Sequence, residues 1–206
     1  MKLIIFDMDG TLIDSGNVIT NTINYVRNSL GLSSLTKDIM LEQLNNPDIN
    51  SAEFFYGTSK FTDEQTELFT KYYDENCVND IVLYDGIEDL LIDLKGKYIL
   101  SVATNASVQF AKKMLDFLNI SQYFQLIVGA DMVDTPKPSP DMLVKTLEIL
   151  NIKKEEAMLV GDSMKDARAA QNANMDFILV NWGFSKEYED GVSSIKELEE
   201  KIKGKI

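Results

Sequence analysis

Two aspartates, Asp7 and Asp9, stand in the pentapeptide Asp7-Met8-Asp9-Gly10-Thr11, directly after the apolar run Leu3-Ile4-Ile5-Phe6. The run predicts a buried strand, and a carboxylate at the end of such a strand is costly unless a cation or hydrogen bonds compensate its charge. Where a strand passes into a loop, two such side chains can converge on one point, which suits Mg²⁺ because this ion takes oxygen ligands. The plainer interpretation is a polar strand end with a turn, since Asp-Gly pairs are common turn formers.

Three further polar clusters each follow a predicted strand. Thr104-Asn105 closes one strand, Gly161-Asp162-Ser163 closes another with Asp166 one helical turn further on, and Lys137 lies in a loop that opens a helix. Ligands of an open parallel sheet bind at the carboxyl ends of its strands, so these clusters are expected to form one site. Each also has a structural explanation, because the threonine and the aspartates can cap helices and the lysine can be solvated.

Short branched apolar runs alternate with amphipathic segments over most of the chain. The runs predict five buried strands, at residues 3–6, 98–103, 125–128, 157–160 and 177–180. Apolar spacing predicts helices at residues 88–95, 107–118 and 140–150, and a final helix after Ser194. This alternation is typical of an α/β fold with a Rossmann-like parallel sheet covered on both faces. Because a long detour follows the first strand, we expect the sheet order 3-2-1-4-5, which places Asp162 beside Asp7.

Residues 15–83 break the alternation. They contain no convincing strand, and helical stretches are predicted at residues 18–30, 37–44, 52–56 and 63–78. This length exceeds an ordinary crossover, so we interpret residues 15–83 as an inserted α-helical cap domain and residues 1–14 with 84–206 as the α/β core domain. Solvation and a packed helix face are the simpler explanations for the candidate substrate contacts of the insert, which are Arg27, Lys37, Lys60, Lys71 and the aromatic residues 54–56.

Composition excludes several classes of function. A net charge of −13 over 206 residues and a pI near 4.4 argue against binding to nucleic acid or to an anionic membrane surface. Cys77 is the single cysteine, so no intramolecular disulfide can form, and the cytoplasm is the expected compartment. The chain has no histidine, which excludes Ser-His-Asp and Cys-His catalysis and histidine-ligated zinc. We expect neither a signal peptide nor a transmembrane span.

The polar clusters, taken in order, resemble the four motifs of the haloacid dehalogenase-like (HAD) superfamily. The resemblance lies in Asp7-Met8-Asp9-Gly10-Thr11, Thr104-Asn105, Lys137 and Gly161-Asp162-Ser163-Met164-Lys165-Asp166. The flanking Lys137-Pro138-Ser139-Pro140 and Tyr84-Asp85-Gly86 are similar to the phosphoglycolate phosphatase-like branch. The resemblance covers essentially the whole chain apart from the helical insert, where it is general.

The resemblance implies roles for the two aspartates of the first motif and for Asp162. Asp7 would be the nucleophile and form an aspartyl-phosphate. Asp9 would give a proton to the leaving alkoxide and then take one from the attacking water. Mg²⁺ would be held by Asp7, by the main-chain carbonyl of Asp9 and by Asp162.

The resemblance also implies a phosphate-binding set and two supporting residues. Thr11, Thr104, Asn105 and Lys137 would contact the substrate phosphate, and Lys137 would in addition pair with the Asp7 carboxylate. Asp166 and Ser163 would orient the surroundings of the metal from outside its ligand set.

The implied activity is that of a Mg²⁺-dependent phosphatase acting on a small phosphorylated metabolite, in a monomer or homodimer. Phosphosugar mutases share Asp9 and are the nearest alternative, but those resembling beta-phosphoglucomutase carry a histidine just after the first motif, which this chain lacks. A non-catalytic regulatory module is a second alternative, because a fold alone never determines function. The sequence does not identify the leaving group.

Overall fold

The computed structural model describes residues 2–185 and 188–205, which form seven strands and nine α-helices. The strands are β1 (Leu3–Phe6), β2 (Ile13–Asp14), β3 (Val82–Leu83), β4 (Ile99–Thr104), β5 (Leu126–Gly129), β6 (Ala157–Gly161) and β7 (Asp176–Leu179). The helices are α1 (Gly16–Ser29), α2 (Lys37–Leu44), α3 (Ser51–Tyr56), α4 (Asp63–Asn76), α5 (Ile87–Leu94), α6 (Val108–Phe117), α7 (Asp141–Leu150), α8 (Met164–Ala173) and α9 (Ile195–Lys203). None of these helices has both the length and the apolar character that a membrane span requires.

Five parallel strands form the main sheet in the order β5-β4-β1-β6-β7, which confirms the α/β class. Phe6 at the end of β1 lies opposite Val102 of β4 and Val160 of β6. Numbered over all seven strands, the order differs from 3-2-1-4-5, because β2 and β3 lie outside this sheet and were not predicted. Numbered within the five-stranded sheet alone, the arrangement is 3-2-1-4-5.

The central strand β1 is buried on both faces, as expected of a strand in a doubly covered parallel sheet. Ile4 and Phe6 share a core cluster with apolar residues of α5, α6 and α9. Leu3 and Ile5 face the opposite side and pack in a cluster with residues of α7 and α8. The alternation of side chains along a strand therefore divides the apolar run between two helical layers.

The helices α1 to α4 lie between β2 and β3, at the position predicted for the insert. Their buried residues Ile23, Val26 and Phe55 belong to the same cluster as Phe6. The expectation of no strand in residues 15–83 was wrong at Val82–Leu83, which pairs antiparallel with Ile13–Asp14. A two-residue strand has no periodicity to detect, and here it depends on a partner far away in the chain. The division into core and cap domains stays a prediction.

Candidate active site

The chain turns sharply at the carboxyl end of β1. The Asp7 amide donates to the Val160 carbonyl at 2.8 Å, and the Gly10 amide donates to the Ile13 carbonyl at 2.8 Å. Gly10 has φ +86°, in the left-handed region that favours glycine, and a Cβ at this position would lie 2.4 Å from Asp162 Oδ2. The turn therefore needs a glycine both for its backbone conformation and for the close approach of the carboxylate at the end of β6.

Lys137 connects the ends of three elements through its buried ammonium group. Nζ donates to Asp7 Oδ1 at 2.5 Å, to Asp166 Oδ1 at 2.6 Å and to the Ala103 carbonyl at 2.8 Å. Burial alone would lower the pKa of Lys137, but the Asp166 and Asp7 carboxylates together raise it above its ordinary value. The lysine is therefore a fixed positive charge beside Asp7, and the alternative of a solvated loop lysine is wrong.

The loop that carries Lys137 is held by Asn105. The Lys137 amide donates to Asn105 Oδ1 at 3.0 Å, and Asn105 Nδ2 donates to the Lys137 carbonyl at 2.9 Å. The side chain of Asn105 thus positions the lysine, while the residue also lines the adjacent cavity. Its predicted contact with phosphate stays a prediction.

Asp162 is buried at the end of β6 with one oxygen uncompensated. Oδ2 accepts from the Phe184 amide at 2.8 Å and from Asn45 Nδ2 at 3.1 Å. Oδ1 has no hydrogen-bond partner among the residues that the structure describes. Burial, reinforced by the Asp166 carboxylate, raises the pKa of Asp162 to about 7. An unpaired buried carboxylate oxygen calls for a compensating cation.

Three carboxylates converge here on a space that fits a divalent cation. Asp7, Asp162 and Asp166 each offer one oxygen, and these oxygens all lie within 4.8 Å of one another. Burial raises the pKa of Asp7 well above its ordinary value, although Lys137 opposes this shift. Lys137 supplies a single positive charge for the three groups, so the remaining negative charge and the oxygen-only donor set suit Mg²⁺.

Asp166 is held by the first turn of α8. Its Oδ2 accepts from the Ser163 amide at 3.1 Å while the Asp166 amide donates to Ser163 Oγ at 3.3 Å, and these two bonds form a capping box. Ser163 Oγ also donates to Asp166 Oδ2 at 2.5 Å. Its Oδ1 accepts from Lys137, so both oxygens already have donors. Asp166 and Ser163 therefore act structurally on Lys137 as well as on the neighbourhood of Asp162.

Asp9 lies directly before the turn at Gly10, is partly exposed and lines the cavity. Its Oδ1 accepts from Ser15 Oγ at 2.5 Å. Burial raises the pKa of Asp9 above its ordinary value, and the hydrogen bond from Ser15 partly opposes this. A carboxyl group with a raised pKa can be protonated nearer to neutral pH, which suits a general acid.

Two predicted phosphate-binding threonines have different surroundings. Thr104 ends β4 and lines the cavity, and its Oγ1 accepts from the Ala106 amide at 3.1 Å. The N-cap of α6 is Ser107, so the alternative that Thr104 caps this helix is wrong. Thr11 is buried, donates to Asp7 Oδ2 at 3.5 Å and is not among the residues that line the cavity. Its contact with phosphate stays a prediction.

A cavity of about 360 Å³ opens beside Asp7 and Asp9. The sheet side of the cavity is formed by the ends of β1 and β4, by Lys137 and by the start of α8. The insert contributes residues from α1, from the end of α2 and from α4. These insert residues are Ile19, Leu44, Asn45, Phe69, Thr70 and Tyr73.

Sequence reasoning missed several residues that contact the predicted ones, above all Ser15 and Asn45. Lys165 lies inside the fourth motif but was given no role, and its Nζ donates to the Leu44 carbonyl of the insert at 2.6 Å. Asn45 and Asp162 are 117 positions apart in the sequence, so no local sequence pattern predicts their hydrogen bond.

The candidate substrate contacts predicted within the insert do not line the cavity. This holds for its four candidate cations, Arg27, Lys37, Lys60 and Lys71, and for the aromatic residues 54–56. Phe55 and Tyr56 are instead buried in the core cluster.

A parallel α/β sheet with a nucleophile-like aspartate, a buried lysine and a further aspartate at its carboxyl edge defines a phosphate-processing hydrolase. The chain belongs to the haloacid dehalogenase-like hydrolase family, whose model matches residues 4–180. It is similar to the phosphoglycolate phosphatase of Aquifex aeolicus, with 38% identity over 90% of this chain and 87% of that protein. The phosphoglycolate phosphatase of Psychrobacter arcticus is 30% identical over 89% of this chain and 85% of that protein.

Solved structures agree with this assignment. A crystal structure described as a predicted phosphatase from Clostridium acetobutylicum has a TM-score of 0.85 and 29% identity, and covers 98% of both chains. A crystal structure described as a putative phosphoglycolate phosphatase from Lactobacillus delbrueckii has a TM-score of 0.81 and 26% identity, again over 98% of both chains. The protein is therefore an enzyme, a phosphoric monoester hydrolase of the HAD type.

Proposed function

We propose that the protein is a Mg²⁺-dependent phosphatase that cleaves a small-molecule phosphomonoester through an aspartyl-phosphate formed on Asp7. The observation that carries this proposal is the position of Asp7. Its carboxylate lies in the cavity wall, ion-paired to Lys137 at 2.5 Å and close to the buried Asp162. A nucleophilic carboxylate needs a neighbouring positive charge, because the substrate phosphate repels it.

Asp7, Asp162 and the main-chain carbonyl of Asp9 would hold the Mg²⁺. Bound there, the ion would neutralise charge on the transferring phosphoryl group and weaken its repulsion from the Asp7 carboxylate. Support for this comes from the unpartnered Oδ1 of Asp162 and from the three converging carboxylates.

The reaction would proceed in two steps, formation of the aspartyl-phosphate and its hydrolysis. In the first, an Asp7 oxygen attacks phosphorus, the bond from phosphorus to the leaving oxygen breaks, and Asp9 protonates that oxygen. In the second, Asp9 takes a proton from water, the water oxygen attacks phosphorus, and inorganic phosphate leaves while the Asp7 carboxylate is restored. Lys137 orients the Asp7 carboxylate before the attack and opposes the rise of its pKa, and Thr104 with the amides near Asn105 would hold the phosphate oxygens.

Residues 15–83 would act as a cap over this chemistry. The insert contributes one wall of the cavity. Leu44 at the end of α2 contacts Lys165 of the core, and Asn45, which follows it, contacts Asp162. A cap in this position excludes water while the leaving group departs and contacts that group directly.

The relatives supply phosphoglycolate as the first candidate substrate. We propose a small phosphorylated metabolite as the partner, in the cytoplasm, with neither nucleic acid nor a membrane involved. A monomer and a homodimer both fit this role.

Release of inorganic phosphate tests the proposal. Wild-type protein should release phosphate from para-nitrophenyl phosphate with Mg²⁺, and EDTA should abolish the release. Acid quenching of a reaction with radiolabelled substrate should trap label on Asp7, and the Asp7→Asn variant should trap none.

The same measurements separate the alternatives. A mutase would convert one sugar phosphate into its isomer with little phosphate released, and a regulatory module would do neither. Phosphate release without any label on the protein would contradict the aspartyl-phosphate route.

A further inference from the structure

Two lysines of the described part of the chain line the cavity, and their ammonium groups are bonded to different extents. Lys137 uses all three of its N–H donors, on two carboxylates and a main-chain carbonyl. Lys165, in the first turn of α8, donates to the Leu44 carbonyl at 2.6 Å, and its Nζ has no second partner among residues 2–185 and 188–205. Because a lysine ammonium has three donors, Lys165 keeps two for a ligand.

The positive charge of Lys165 is also uncompensated. Its one partner is a neutral carbonyl, whereas the salt bridges of the cavity join Lys137 to Asp7 and Asp166 and do not include Lys165. The side chain is half-buried, and burial lowers the pKa of Lys165, as expected of an ammonium group without a paired anion. An anionic group bound beside Nζ would supply the missing counter-charge.

Lys165 lies where the core meets the insert. It directly precedes Asp166, and its Nζ contacts the last residue of α2. The proposed phosphoryl contacts lie at the sheet edge, so the leaving group would extend from there towards the insert. The insert side of the lining includes the polar residues Asn45 and Thr70 as well as aromatic ones, so it can accept a polar leaving group.

We propose that Lys165 is a specificity-determining residue that binds a carboxylate on the leaving alcohol, which makes phosphomonoesters of small hydroxy acids the preferred substrate class. The proposal rests on the phosphatase function proposed above and specifies its leaving group. One ammonium group with two unused donors matches the single charge and two oxygens of a carboxylate. Phosphoglycolate, the substrate in the names of the relatives, belongs to this class.

Three esters that differ in the charge of one terminal group test the proposal. Phosphoglycolate carries a carboxylate, ethyl phosphate has a methyl group in its place, and 2-aminoethyl phosphate carries an ammonium group. Wild-type protein should prefer phosphoglycolate. Lys165→Met should lower kcat/KM for phosphoglycolate by about 10–100-fold, mainly through KM, because a charged hydrogen bond to the bound substrate is lost. The same variant should keep its turnover of ethyl phosphate within about twofold and should gain turnover of 2-aminoethyl phosphate.

Two further variants serve as controls. Lys165→Arg retains the positive charge and should keep most of the preference for phosphoglycolate. Lys112→Met in α6 makes the same change in net charge at an exposed residue that does not line the cavity, so it should leave all three rates unchanged. Turnover of ethyl phosphate by Lys165→Met also shows whether loss of the bond to Leu44 disturbs the fold.

The inference and the proposed function fail in different ways. An equal loss with all three esters in Lys165→Met would overturn the inference, because Lys165 would then only join the insert to the core. An undiminished preference for phosphoglycolate in this variant would also overturn it, since another group would bind the carboxylate. Absence of Mg²⁺-dependent phosphate release from every ester by wild-type protein would instead remove the proposed function itself.

Discussion

Replacing Asp162 with asparagine should stabilise the metal-free protein at alkaline pH while it abolishes activity. The side chain is buried, its Oδ1 has no partner among the described residues, and its pKa is raised to about 7 by burial and then by Asp166. The ionised form of Asp162 therefore lowers the free energy of unfolding. Asparagine has almost the same shape without the charge, and its oxygen can accept the bonds from Asn45 and Phe184.

The size of the gain in the free energy of unfolding follows from the shift in the pKa of Asp162. The pKa rises from a usual value of 3.8 to about 7, and each unit corresponds to about 1.4 kcal/mol, so the ionised group costs about 4 kcal/mol. The new amide N–H groups would replace the unpartnered oxygen, and leaving them unbonded costs about 1–3 kcal/mol. The variant should therefore gain about 1–3 kcal/mol in its free energy of unfolding above pH 7.

The gain should depend on pH with a definite sign. Between about pH 4 and pH 7, the native wild-type protein keeps a proton on Asp162 that the unfolded chain releases, so the contribution of this group to stability falls as pH rises. Asparagine does not titrate. The advantage of the variant should therefore be full at pH 8 and should become a loss of about 1–3 kcal/mol near pH 4, where the cost of the charge is gone and the penalty for the unbonded amide remains.

Urea unfolding in EDTA at pH 5 and pH 8 measures the free energy of unfolding of the wild-type protein and of the variant. Asp116→Asn, on the exposed side of α6, is the matched control for the change from aspartate to asparagine. Added Mg²⁺ should raise the stability of wild-type protein, since it binds the native state, and should have less effect on the variant. Destabilisation of Asp162→Asn by the same amount at both pH values would refute the reasoning.

Three further predictions follow from single contacts. Asp7→Asn should retain the fold but lose at least about 10³-fold in kcat for any ester, because an amide is a poor nucleophile; more than a few per cent of residual activity in a clean preparation would contradict this. Asp9→Asn should lose about 10²–10⁴-fold with an alkyl phosphate but less in the first step with para-nitrophenyl phosphate, whose phenolate leaves unaided, and a burst should appear in rapid mixing. Equal losses without a burst would limit Asp9 to positioning. Arg168→Ala removes an exposed ion pair with Asp48, so the urea midpoint should stay within error of wild type; a large drop at low salt would show that this pair anchors the insert.

Much of the fold could be predicted because its signals are local. Each main-sheet strand is a short apolar run, and the observed bounds differ from the predicted ones by at most one residue. The helices α5, α6 and α7 follow from apolar spacing within the segment itself. Helix α8 does not follow from apolar spacing, because it is rich in alanine and polar residues and begins inside the motif that holds Asp162.

The sequence by itself also determined which residues meet at the sheet edge. Parallel strands end on the same side, so Asp7, Thr104 and Asp162 had to lie close together once the strand order was set. Lys137 follows a strand by only a short loop and could therefore reach the same edge. This part of the site is encoded by position along the chain.

Only the tertiary structure decided how the insert meets that edge. Residues distant in sequence meet in the ribbon of β2 and β3, in the bond from Asn45 to Asp162 and in the cavity lining at Phe69. The amphipathic pattern of α4 shows that one of its faces is buried, but not which neighbour covers it. The geometry of helix packing is set by the shapes of both surfaces at once, so the residues with which the insert lines the cavity could not be predicted from either segment alone.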